Sequence, residues 1–162
     1  MRANVFWSKT VKGITLSALL ILVAVSVFFL LEGSFWSLFM MVILLLAIVY
    51  CMYWAPNFIS ITDNSLILHK LLGRLTLPFD QIRTIDIYQS EGVNARICGS
   101  GGLFGFTGLF YNKQIGKYRS YIGSYRQAFL VTMLNGKKYL FSCENREQIV
   151  ALVKPKLTKV AD

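Results

Sequence analysis

Histidine is nearly absent from this chain. His69 is the only one, and it falls in a stretch that alternates like a strand. With a single imidazole, and no serine or cysteine spaced to meet it and a carboxylate, a nucleophilic triad lacks its parts. Cysteine is scarce too: Cys51, Cys98 and Cys143, an odd count with no CxxC pair. That spacing indicates no disulfide framework, zinc site or dithiol redox motif, and the three read as reduced thiols. Phosphate-loop patterns also fail. Gly116-Lys117 is followed by Tyr118, and a tyrosine stands at 111 where a Walker loop needs its first glycine. Gly99 and Gly101 begin a GxGxxG, but residue 104 is phenylalanine. The acids Asp63, Asp80, Asp86, Glu91, Glu144, Glu147 and Asp162 are scattered, several at predicted turns or caps, without metal-ligand spacing. These absences predict a non-enzymatic protein that needs no metal or cofactor.

Charge is missing altogether from two long runs. Ile14 to Leu31, ITLSALLILVAVSVFFLL, and Phe35 to Trp54, FWSLFMMVILLLAIVYCMYW, contain no Asp, Glu, Lys, Arg or His. Each is long enough to cross a bilayer as a helix. Glu32, Gly33 and Ser34 alone separate them, which predicts an antiparallel transmembrane hairpin over residues 1–55. Arg2, Lys9 and Lys12 precede the first span, Lys70, Arg74 and Arg83 follow the second, and the turn has no basic residue. The positive-inside rule then puts both termini in the cytoplasm, with the Glu32 turn facing out. Trp7, Trp36, Tyr50, Tyr53 and Trp54 lie where interfacial aromatics belong. A cleaved signal peptide shares the charged start, but the apolar run is long for one and LLEGSFW offers no small-x-small cleavage site. With no ionisable group at the centre of either span, the hairpin reads as an anchor rather than an ion pathway.

From Pro56 onward the period changes to two. Residues 58–62, 66–70, 74–77 and 83–89 read as strands, with turn chemistry at Asp63-Asn64-Ser65 and Gly73 and a bend at Pro78-Phe-Asp-Gln-Ile82. Arg126 to Leu134 and Lys137 to Ser142 flank Asn135-Gly136, a strong hairpin signal. Asn145 and Gln148 fit a capping box for a last helix, whose apolar stripe is Ile149, Leu152 and Val153 and which Pro155 is expected to end. About a hundred residues suffice for one small core. The expected domain, 56–162, is a curved antiparallel barrel or sandwich of about seven strands closed by a C-terminal helix, making the whole chain an α+β membrane protein.

Ile61-Thr-Asp-Asn-Ser-Leu66, Leu77-Pro-Phe-Asp-Gln-Ile82, the stretch GSGGLFGFTGLFYNKQIGKY from Gly99 to Tyr118, and the final hairpin and helix together resemble the pleckstrin-homology-like (PH-like) domains of bacterial membrane proteins. In these a PH-like domain follows a short transmembrane hairpin. The resemblance spans nearly the full length. It implies a PH-like fold and an address at the cytoplasmic (inner) membrane, but no reaction, since that fold hosts many binding roles.

The formal net charge is +9, and no acidic residue occurs from Gly92 to Cys143. Within that stretch lie Arg96, Lys113, Lys117, Arg119, Arg126, Lys137 and Lys138. Such a run suits anionic headgroups, each cation contributing roughly 1 kcal/mol near an anionic surface. It equally suits a solvated face that keeps the domain soluble. The aromatics of the glycine-rich stretch carry the same two readings. Phe104, Phe106 and Phe110 either face lipid or a partner, or fill the core and pack on the hairpin. Eukaryotic phosphoinositide-binding PH domains carry basic residues around the first hairpin. Here that turn is Asp63-Asn64-Ser65, so any lipid contact falls to the Arg96–Lys138 stretch. No nucleic-acid module is present. The function these features predict is a membrane-anchored binding or scaffold module presenting a basic face to anionic phospholipid or to a protein partner. The alternative is an accessory subunit of a membrane transport or envelope-assembly complex.

Overall fold

The computed structural model describes residues 1–89 and 92–158. Helix α1 (Lys9–Glu32) begins five residues before the expected span, because the Ser8 hydroxyl accepts a hydrogen bond from the Val11 N–H and caps it. It ends where Gly33 turns left-handed at φ 64° and donates its N–H to the Phe29 carbonyl. Helix α2 (Phe35–Trp54) follows at once. In each helix only 6% of the most apolar window is buried within the protein. These are therefore not the core helices of a soluble fold. They are two apolar rods, each long enough to cross a membrane, with most of their apolar length left uncovered by the rest of the chain.

The remainder forms two sheets. The first holds β1 (Arg2–Asn4), β2 (Pro56–Ile61), β3 (Ser65–Lys70) and β4 (Arg74–Pro78), in that order and all antiparallel. The second comprises β5 (Ile82–Ile87), β6 (Ala95–Gly102), β7 (Gly105–Asn112), β8 (Gly116–Ile122), β9 (Ala128–Met133) and β10 (Lys138–Ser142). Its order is β5-β9-β10-β8-β7-β6. The pairs are antiparallel except β8 with β10, which run parallel with Tyr139 opposite Arg119. Helix α3 (Arg146–Thr158) packs on β5.

The two sheets face each other rather than closing on themselves, so the sandwich is the form realised and there is no closed barrel. Period-two burial shows why. Leu66 and Leu68 of β3 and Phe129, Val131 and Met133 of β9 point inward to a core shared with Ile59, Leu77, Ile85, Phe141, Ile149 and Val153. A smaller cluster, including Phe110, Tyr118, Ile122 and Leu140, lies on the other face of the second sheet.

Strand β1 carries no signal in the sequence. Three residues ahead of a helix are too few to show a period. It forms because β2 offers a free edge: Ala3 pairs with Ile59, the Val5 N–H donates to the Asn57 carbonyl at 2.9 Å and the Ile61 N–H to the Met1 carbonyl at 2.9 Å. The segments before α1 and after α2 are thus neighbours in one sheet. Trp7 and Trp54 extend this joint. The Trp7 indole donates to the Pro56 carbonyl at 3.3 Å, and both rings pack on the core.

Pro155 does not end α3, which runs on to Thr158. A proline removes one helical hydrogen bond, but the residues beyond it are held from outside. Leu157 packs against the core. The Lys156 ammonium reaches the Thr62 carbonyl at 3.5 Å, lies 3.9 Å from the Asp63 carboxylate and stands 5.6 Å from the centre of the Phe79 ring.

Candidate functional site

Glycine weakens a strand, so the stretch from Gly99 to Tyr118 shows no regular period. It nonetheless forms a hairpin, β6 paired to β7, continued by β8. Gly99 and Gly108 face each other across the first pair, both at φ 123°. A Cβ on Gly108 would stand 2.3 Å from the Cys98 carbonyl oxygen, and one on Gly99 2.1 Å from that of Thr107. Only glycine fits at either place, and the surface there carries no side chain.

The aromatics of this stretch turn inward, and of the two readings the burial of Phe104 and Phe110 fits packing. Phe104 is 7% exposed, at the tip of the β6–β7 turn, and lies edge-on to Trp7 with centroids 6.3 Å apart. Phe110 is 2% exposed and stacks on Tyr118. Phe106 is half-buried beside Tyr125, with centroids 5.2 Å apart. They are packing residues of a hairpin that has given up other side chains to glycine.

Of the seven basic residues, four come together. Lys117 and Arg119 of β8, Lys137 of the β9–β10 turn and Lys138 at the start of β10 line one open cleft of about 340 Å³. The parallel pairing makes this contact. Two residues before the Arg119–Tyr139 pair are Lys117 on one strand and Lys137 on the other. The ion pairs among the described residues join Arg146 to Glu147, Lys154 to Asp86 and Lys156 to Asp63, and none of them draws on this cleft. Lys138 is oriented by donating to the Ile115 carbonyl at 2.6 Å. Arg96, Lys113 and Arg126 are exposed elsewhere and line no part of the cleft.

Tyr118, which also lines the cleft, is fixed by partly buried polar contacts. The Asn94 side-chain oxygen accepts from the Tyr88 hydroxyl at 3.0 Å, the Tyr118 hydroxyl at 2.9 Å and the Asn112 amide at 3.1 Å. Burial pushes the Tyr118 hydroxyl far above the usual tyrosine range, with Tyr125 and Tyr88 adding to the effect. It remains a proton donor in this network.

A second cavity, of about 300 Å³, adjoins the first. One wall is the last turn of α2, where Tyr50, Cys51 and Trp54 share a face. The other is the Gly99–Gly108 pair and its neighbours. The lining is mainly apolar, and Arg119 is its one charged residue and is common to both cavities. The Trp54 Nε1–H is buried with no hydrogen-bond partner among the described residues. No sequence signal marked this cavity, since it joins residues from a helix and from three strands far along the chain.

Four basic residues lining one cleft, beside a mainly apolar slot, have the chemistry to hold an anion. Two apolar helices followed by an antiparallel sandwich and one closing helix define a binding module carried on a hairpin. The chain belongs to the bacterial PH domain family, whose model matches residues 58–157, from β2 through nearly all of α3. PH-like domains are generally non-enzymatic binding modules. No curated protein and no solved structure matches the chain.

Proposed function

We propose that this protein is a non-catalytic module, anchored by its hairpin in the cytoplasmic membrane, that presents the Lys117–Arg119–Lys137–Lys138 cleft to anionic phospholipid headgroups. The observation that carries this reading is the gathering of four cations into one cleft that shares Arg119 with the end of α2. A bilayer holding α2 keeps that cleft within reach of the headgroups. The pairing of β1 with β2 supports an orientation with both ends of the hairpin on one side. The flanking lysines and arginines favour the cytoplasm for that side.

The test uses the full chain, because residues 2–5 are part of the sheet. Purified in neutral detergent, it is expected to retain phosphatidylglycerol over phosphatidylcholine by native mass spectrometry, with a preference that weakens as salt rises. Changing Lys117 and Lys137 to glutamine removes about 2 kcal/mol of attraction, a loss of preference of roughly 30-fold. Equal retention of the two lipids at low salt would overturn the proposal.

One observation favours the second reading, an accessory subunit bound to another protein. Strand β6 is the outer strand of its sheet, and Ile97 (50%) and Val93 (83%) beside it are exposed. An open strand edge with exposed apolar residues accepts a partner strand. Co-purification of a stoichiometric protein, lost on changing Ile97 to lysine, would establish that reading.

A further inference from the structure

We propose that the cavity between α2 and the β6–β7 glycine pair is a phospholipid-chain site, in which one acyl chain lies along Tyr50, Cys51 and Trp54 while its phosphodiester meets Arg119. This rests on the headgroup-binding reading above and names where one lipid would be held.

Three features converge on it. The volume, about 300 Å³, is that of a small ligand pocket, and its lining is apolar apart from a few polar groups, as such pockets are. The cavity stands at the end of a bilayer-length helix, where an acyl chain and a phosphate are adjacent by the nature of the lipid. A chain entering there passes from one apolar medium to another. The polar groups match the chemistry of a phosphodiester. Arg119 is a cation with no carboxylate paired to it among the described residues. Trp54 contributes a buried indole N–H that has no acceptor there. The guanidinium also borders the basic cleft, so a lipid with its chain in the slot would direct its headgroup toward Lys117 and Lys137. Gly99 and Gly108, where close strand approach admits only glycine, form part of its wall.

The experiment places the full chain in nanodiscs containing phosphatidylglycerol with a diazirine on its acyl chain, irradiates it and maps the adducts by mass spectrometry. Adducts are expected on both walls, at residues 50–54 and on the 98–109 hairpin. Arg119→Gln should lower the hairpin adducts about tenfold, as loss of a hydrogen bond to a charged group does. Cys51→Trp, or Leu109→Trp from the opposite wall, should remove them by filling the slot. Excess free glycerol phosphate should leave them unchanged. Adducts confined to the outer faces of α1 and α2, with none on the hairpin, would overturn the proposal on the unmodified protein alone. Complete competition by glycerol phosphate would also overturn it, by making the site a soluble phosphate's. Failure of the headgroup reading appears instead in lipid retention and its response to Lys117→Gln with Lys137→Gln, whatever the adduct map shows.

Discussion

Thr15 in the first apolar helix and Phe104 at the tip of the β6–β7 turn are joined by a hydrogen bond although 89 residues separate them. The Phe104 backbone N–H donates to the Thr15 hydroxyl oxygen at 3.0 Å, and that hydroxyl donates in turn to the Gly102 carbonyl at 3.4 Å. Phe104 is held here at φ 56°, a left-handed conformation rare for a bulky residue. Helix α1 is thus fastened to the turn by the hydroxyl of a single buried threonine. Thr15→Val keeps the shape and orphans a buried N–H. It is expected to lower stability by about 1–3 kcal/mol in detergent-solubilised unfolding, while Thr15→Ser stays close to the parent protein.

A second prediction concerns the glycine pair. Gly108→Ala would bring a Cβ against the Cys98 carbonyl at a φ that alanine rarely adopts, so the β6–β7 hairpin should fail to form and the protein should not accumulate. Gly136→Ala, at φ 78° in open space, meets no such neighbour. Its cost should be only the conformational one, about 1–2 kcal/mol. Expression level and thermal unfolding of the two variants compare them directly.

These two sites show what could be read ahead of the structure. The hairpin, the strands from β2 to β5, the Asn135-Gly136 turn and the final helix all announce themselves locally, through charge-free length, alternation or turn chemistry. Strands β6 and β7 do not, because glycines replace the residues whose alternation would reveal them. Strand β1 is too short to carry a period. Of the candidate site, the basic residues were legible as a list. Their division into four that share a cleft and three that do not depends on the parallel pairing of β8 with β10, a long-range choice with no local signature. The inward turn of Phe104 and Phe110 depends on that same packing.

Removing residues 2–5 should expose the edge of β2. The Ile61 N–H then loses its acceptor on Met1, and Ala3 and Val5 leave the core. Faster amide hydrogen exchange at Ile61 and a lowered unfolding temperature are expected, with the helical content of α1 and α2 unchanged.

The cysteines separate by environment. Cys98 is exposed on β6, while Cys143 is wholly buried, and burial pushes its thiol up to about 12. In the native state Cys98 should react with a maleimide and Cys143 should not. Because the fold keeps the Cys143 proton that the unfolded chain releases near pH 9, its contribution is complete below that pH and is lost as pH rises towards about 12. Unfolding temperature should therefore fall less steeply across this range in Cys143→Ala than in the parent, and parallel pH profiles would refute the assignment.

The β1–β2 pairing also bears on how the chain is threaded. The two strands are made on either side of the hairpin, yet they must meet in one sheet. In a bilayer that meeting requires an even number of crossings between them. A chain in which only one helix inserted would strand Arg2–Asn4 across the barrier from their partner and leave the edge of β2 open. In a bilayer the three-residue strand would thereby act as a parity check on insertion, and the sandwich would be completed only in chains that pass it.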